Sequence, residues 1–316
     1  MDTELAAPAP EDPPAAAPPG VRSLPLEAVG SLSPSRAGDF LTCPLLYRFR
    51  TVDRLPERPS VDAARGTLVH KVLEDLFDRP ADERTPTSAG AMLEPSWEAL
   101  LEVEPGLATL FEPDGIPDPA ALAAWLGSCR AALERYFTLE DPRRLEPADR
   151  ELYVESMTDS KLVLRGIIDR VDVAPDGSIR VVDYKTGRAP REGGEARALF
   201  QLKFYGLLLW RIRGVVPRRL QLIYLGDGQI VSYDPDEQDL AATERKVEAI
   251  WRAISAAQES GEWLPRRSAL CHWCDHQAIC PEFGGTPPPL PEVPPVLGST
   301  HPVEDVQPVE ESVSSG

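Results

Sequence analysis

Two runs rich in β-branched residues, 162–173 and 179–184, flank Pro175-Asp176-Gly177, and this arrangement constrains the fold more than any other stretch of the chain. Proline presets φ for a type I turn and glycine accepts the left-handed position that follows, so the segment reads as a β-hairpin. A three-residue loop pairs Ala174 with Ser178. Counting back along the ladder sets Asp172 opposite Arg180, an opposite-charge pair, and Asp169 opposite Asp183. A two-residue loop would instead seat Pro175 in the ladder, where it has no N–H to donate. Side chains alternate along a strand, so Asp169, Asp183 and Lys185 are expected on one face.

Two carboxylates a few ångströms apart repel unless something neutralises them. Mg²⁺ or Mn²⁺, which take oxygen ligands, would do so. Lys185 beside such an ion would stabilise developing charge or orient an attacking water. Taken alone, the same pattern fits an ordinary surface hairpin with solvated charges.

Upstream, Leu68, Val69, Val72, Leu73, Leu76 and Phe77 recur at helical spacing and predict a helix over 62–78. His70 and Glu74 lie four apart on one side of it. Downstream, a helix over 196–213 carries Gln201-Leu202-Lys203-Phe204-Tyr205. A lone helical histidine is more often structural than a ligand, and Gln201 and Tyr205 could be ordinary helix-flank residues.

Together these residues resemble the PD-(D/E)xK nuclease superfamily, in particular its RecB-like exonuclease branch. The resemblance implies an α/β fold, a restriction-endonuclease-like mixed sheet flanked by helices, with a helical insertion. It implies that His70, Asp169 and Asp183, with the Val182 carbonyl, hold Mg²⁺ or Mn²⁺. It further implies that Lys185 orients or activates water, and that Gln201 and Tyr205 position the site or the phosphate. The family's third acidic position is Asp183 here rather than Glu, a shorter arm within the family's tolerance.

The five cysteines are Cys43, Cys129, Cys271, Cys274 and Cys280. The last three, spaced C-x2-C-x5-C, leave one ligand position open, and Cys43 is the candidate fourth. Structural zinc would use the same thiolates or recruit His272 or His276. Disulfides are disfavoured by the odd count and the lack of a secretion signal. Cys129 reads as an unpaired buried thiol. Iron–sulfur members of the RecB-like group share one upstream cysteine and this C-terminal trio. That resemblance implies a 4Fe-4S cluster on Cys43, Cys271, Cys274 and Cys280, with zinc as the alternative. Its role would be structural, closing a loop of more than two hundred residues.

The 316 residues carry 34 prolines, unevenly placed. Residues 1–20 hold four acidic and no basic side chains, and 287–316 hold five acidic and none basic. The expected organisation is a disordered tail over 1–30, a nuclease domain over 31–285 closed by the cysteines, and a second tail over 286–316. A net charge of −18 works against nucleic-acid binding, which rests on neutralising phosphates. The tails account for 9 of the 18 excess negative charges, however. Arg36, Arg48, Arg50, Arg54, Arg58 and Arg65 gather in the N-terminal region. Arg165, Arg170, Lys185, Arg188, Arg191, Arg197 and Lys203 surround the hairpin. Residues 92–120, with seven acidic side chains and no basic one, are expected to face away from substrate or to form a lid.

No run of eighteen apolar residues occurs, which excludes a membrane-spanning helix, and no signal peptide is visible, so a cytoplasmic location is expected. No phosphate-binding loop of the Gly-x-x-x-x-Gly-Lys-Ser/Thr type is present, so any helicase would act in trans. The expected activity is metal-dependent hydrolysis of DNA, as an exonuclease on single strands or free ends in repair or recombination. The alternative is a non-catalytic nucleic-acid- or partner-binding iron–sulfur or zinc protein of the same fold.

Overall fold

The computed structural model describes residues 28–190 and 195–291. Of the expected tails only 28–30 and 286–291 fall within them, and Arg191 and the Gly193-Gly194 loop lie outside. At the hairpin, Gly177 takes φ +82° and Ala174 N donates to Ser178 O at 2.9 Å. Asp172 stands opposite Arg180 and pairs with it at 2.7 Å.

In chain order the elements are β1 (Gly30–Leu32), α1 (Pro34–Thr42), α2 (Pro44–Tyr47), α3 (Val61–Leu76), α4 (Pro86–Val103) and α5 (Pro119–Leu139). They continue with β2 (Asp149–Met157), β3 (Leu162–Val173), β4 (Ile179–Lys185), α6 (Glu195–Arg213), β5 (Arg219–Tyr224), β6 (Gln229–Tyr233) and α7 (Glu237–Ser260). The helices begin where their caps say they should. Ser60 accepts from Ala63 N ahead of α3, and Thr85 and Asp236 close capping boxes on α4 and α7. Gly261, in the left-handed region, ends α7.

The strands form one mixed six-stranded sheet, β1-β3-β4-β5-β6, with β2 also paired to β3. β2 runs antiparallel along one edge of β3 from Val163 to Val171. The other edge of β3 is shared. β1 lies parallel to it at Leu162–Leu164, and β4 antiparallel to it from Arg170 to Val173. Between Arg165 and Asp169 that edge has no strand partner among the described residues, so the sheet is split there. The crossover through α6 sets β5 parallel to β4, the connection that a parallel pair requires.

Helices cover both faces. On one, Leu164, Val181 and Leu222 pack with Phe204, Leu208 and Trp251. On the other, Val182, Tyr184 and Ile223 pack under α3, α4 and α5, where Trp97, Trp125 and Tyr136 are buried as core residues. Each large apolar side chain so buried contributes about 1.5–3 kcal/mol. Cys129 is fully buried in the same layer. Both layers converge on β4, whose alternate residues face one core and then the other.

Candidate active site and cysteine cradle

The acidic site lies at the split in the sheet. The β3–β4 ladder ends at Arg170 opposite Val182, so the next pair outward would be Asp169 and Asp183. Instead of a backbone bond, the Asp169 carboxylate accepts from Tyr184 N at 2.6 Å. Its side chain thus replaces the ladder partner while the strands diverge. From α3, His70 Nδ1 comes within 3.5 Å of Asp169 Oδ2, and its Nε2 lies 3.0 Å from the Tyr184 carbonyl.

Two further groups complete the site. Asp183, 1 % exposed, pairs with Lys185 Nζ at 2.7 Å. Gln201 Nε2, from α6, donates to Asp183 Oδ1 at 3.0 Å and sits 3.2 Å from the Tyr205 hydroxyl. Tyr205 reaches this position because β3 carries glycine beneath it. A Cβ at Gly166 would meet the tyrosine ring at 2.8 Å.

The third member of the His70–Asp169 group is one that the sequence analysis missed. Ligand atoms of His70, Glu151 and Asp169 all lie within 4.8 Å of one another. Glu151 sits near the start of β2 with φ +42°, a left-handed conformation that is costly for a residue with a side chain. It interrupts an otherwise regular ladder, since Arg150 faces Arg170 and Leu152 faces Ile168. The position it would occupy is opposite Asp169. Glu151 was legible in principle, because the short turn through Thr158–Lys161 fixes that register. Asp183 is not part of this three-residue group, and the anticipated set His70, Asp169 and Asp183 is divided between two adjoining clusters.

The electrostatics of the site favour a cation. Burial, then the charge of Asp183, raises the Asp169 carboxyl well above its ordinary range. Burial, then Asp169, pushes Glu151 up to about 7. Burial lowers His70, which keeps its imidazole neutral, the form that ligates metals. Crowded carboxylates beside a neutral histidine form a donor set that fits Mg²⁺ or Mn²⁺. Val182, the anticipated carbonyl ligand, is fully buried with strands on both sides. The backbone carbonyl that meets His70 belongs to Tyr184.

Residues 31–281 match the family model of the PD-(D/E)XK nuclease superfamily. The chain belongs to that superfamily. PD-(D/E)XK nucleases act on nucleic acid and use divalent metals, in agreement with the donor set just described. The chain is 26% identical over 287 residues to the Gene 69 protein of Mycobacterium phage D29, covering 82% of this chain and 98% of the phage protein. The Gene 69 protein of Mycobacterium phage L5 is 24% identical over 297 residues, with 82% and 97% covered. A crystal structure of a Eubacterium rectale protein, named as a candidate exonuclease, aligns at a TM-score of 0.49 and 16% identity over 78% of this chain and 88% of that one.

In this PD-(D/E)XK chain, Tyr184 holds the site from behind. Its backbone engages both His70 and Asp169, and its hydroxyl takes a bond from Arg170. Arg170 is 1 % exposed and lies 2.8 Å from Glu140, which caps the C-terminal end of α5, and 3.2 Å from Asp172. The helical insertion is therefore tied to the hairpin through a buried, multiply paired guanidinium.

At the other end, Cys43, Cys271, Cys274 and Cys280 line one pocket. Cys43 caps α1, whereas the other three sit in or beside short 3-10 turns. Arg266 N donates to Cys43 Sγ at 3.3 Å and Ser268 N to Cys271 Sγ at 3.4 Å. Burial raises Cys274, and the neighbouring Cys271, Cys280 and Cys43 add to the shift. His276 is turned away to Glu57 at 3.1 Å and packs on Phe49. No helix of the described residues is long and apolar enough to cross a membrane.

Proposed function

We propose that this chain is a divalent-metal-dependent deoxyribonuclease of the RecB-like branch. It acts as an exonuclease that prefers single-stranded DNA or free ends, in repair or recombination in the cytoplasm. The observation that carries this reading is the convergence of His70, Glu151 and Asp169 beside the Asp183–Lys185 pair. His70, Asp169 and Asp183, joined by Glu151 and the Tyr184 carbonyl, would hold Mg²⁺ or Mn²⁺. Such an ion supplies charge neutralisation at the phosphoryl oxygens and lowers the pKa of bound water. Lys185, paired with Asp183, would orient the water and offset charge on the phosphate. Gln201 and Tyr205 keep the Asp183 carboxylate aligned from α6.

The four cysteines are assigned to a 4Fe-4S cluster of structural role. All four thiols line one pocket, which supports a shared metal centre, and the resemblance to iron–sulfur members of the RecB-like group favours the cluster over zinc. The nuclease domain is assigned to 31–285, with acidic Pro-rich tails on either side, and a helicase, where one is used, acts in trans.

The test is degradation of end-labelled single-stranded DNA by protein purified without oxygen, with and without Mn²⁺ or Mg²⁺, beside Asp183→Ala. Metal-dependent degradation that vanishes in the variant is expected. A folded, metal-loaded protein that degrades neither single- nor double-stranded DNA would refute the proposal and favour the non-catalytic reading.

A further inference from the structure

Next to the acidic site lies a cleft whose charge the proposed chemistry does not use. Arg65, Arg135 and Arg188, with Thr186 and the backbone at Gly187 and Gly226, line about 240 Å³ where α3, α5 and the segment after β4 meet. Among the described residues none that lines it is acidic, in a chain of net charge −18. A local excess of guanidinium on so acidic a protein needs a reason.

The three arginines are held in different ways. The Arg135 guanidinium donates to the Leu225 carbonyl, which fixes it in the wall of the cleft. Arg65 pairs at 2.6 Å with Asp62, whose side chain is 75 % exposed. An exposed pair of this kind is worth only about 0–1 kcal/mol and exchanges readily for an incoming anion. The Arg188 side chain is exposed and has no hydrogen bond or ion pair among the described residues. Asp227, on the neighbouring β5–β6 turn, accepts from Ala189 N at 3.2 Å.

The cleft also adjoins the acidic site along α3. Gly66 lines the pocket of His70 and Glu151, while its neighbour Arg65 lines the basic cleft. A Cβ on Gly66 would touch only Thr186 Oγ1, at 3.9 Å, so the ridge between the two is bare backbone. Thr186 directly follows Lys185. A phosphodiester strand seated at the acidic site therefore has a low pass over Gly66 into a cleft of forked donors. Guanidinium groups match phosphate oxygens in that geometry, and a threonine hydroxyl adds a further donor.

We propose that this cleft is a subsite for a non-scissile phosphate of the substrate strand, held by Arg65, Arg188 and Thr186. The proposal rests on the nuclease reading above. Arg65→Gln and Arg188→Gln, singly and together, are compared with the unaltered chain for binding a fluorescent single-stranded oligonucleotide in EDTA, across a salt series. The double variant is expected to bind roughly tenfold more weakly, with its log–log salt slope reduced by about 0.7 for each phosphate it no longer neutralises. Its thermal unfolding should be unchanged.

Replacing single linkages with neutral methylphosphonate should reveal one position that weakens binding to the unaltered chain and has no effect in the double variant. Inorganic phosphate, titrated calorimetrically, separates the two sources of the anion. If it binds in the cleft while the oligonucleotide slopes of chain and variant coincide, the site serves a free anion and the proposal is overturned. Equal slopes without phosphate binding overturn it as well, leaving the nuclease reading intact. A chain that binds no oligonucleotide at all removes both.

Discussion

The acidic site and the cysteine cradle are held together by opposite means. Every group of the acidic site hangs on a regular element, whether α3, β2, β3, β4 or α6. Those elements are backed by the cores on both faces of the sheet. Backbone and side-chain bonds from Tyr184 and Gln201 hold Asp169 and Asp183 in place. In the cradle only Cys43 sits at the end of a helix, and the 3-10 turns that carry Cys271 and flank Cys280 contain no buried residue. Apart from the thiols, that segment is tied back by Arg58 to Asp275 at 2.7 Å, His276 to Glu57, and Arg266 to the Leu41 carbonyl at 2.6 Å. One site is preorganised by the fold, whereas the proposed cluster would supply the rigidity of the other.

The largest effect should come from separating activity from stability. Asp183→Ala is expected to reduce DNA degradation by about 10²–10³-fold or more, as loss of a key charged group does. Its melting temperature should stay within a few degrees of the unaltered chain, read by circular dichroism. Cys274→Ser should behave the other way round, with loss of visible absorbance and bound iron. Its melting temperature should fall by roughly 10 °C, because the proposed cluster would contribute its binding energy to folding. Equal melting temperatures for the two variants would erase the distinction between the sites.

A smaller effect tests how far the preorganisation extends. Tyr184→Phe removes only the hydroxyl that Arg170 holds, and should lower metal affinity or turnover by about 10-fold, in the range for groups that orient ligands. Metal titration followed by activity reads it. An unchanged metal dependence would confine the role of Arg170 to stability.

The smallest expected effect is on pH dependence without metal. Glu151 has a folded pKa of about 7, above its ordinary value of 4.5, so the folded state binds the extra proton. Its contribution is therefore present below pH 4.5 and is lost as pH rises through about 7. The metal-free protein should melt progressively lower across that window, Glu151→Gln should flatten the trend, and Mn²⁺ should restore more stability at the higher pH.

The hairpin was legible because its determinants are local. Proline and glycine select the turn, the turn sets the register, and the register brings Asp169 and Asp183 to neighbouring positions. His70, Gln201 and Tyr205 came from helical spacing and a family resemblance, and they converge on the same hairpin. Glu151 escaped because it announces itself only through the β2–β3 register, and its strand end, Asp149-Arg150-Glu151, reads as ordinary polar sequence. β1 escaped for a related reason. Three residues carry no periodicity, and their strand conformation comes from pairing with β3. The carbonyl at His70 illustrates the same limit, since which backbone oxygen faces a site depends on how strands diverge.

The pairing of β1 with β3 also sets the order of assembly. Gly30–Leu32 is synthesised about 130 residues before Leu162–Leu164, its strand partner. Cys43 waits still longer for Cys271, Cys274 and Cys280. Such non-local closure slows folding and leaves unpaired edges exposed in the meantime. During translation the segment through Cys43 thus stays unsheltered until nearly the whole domain has emerged, and the last turns to be made secure the first helix.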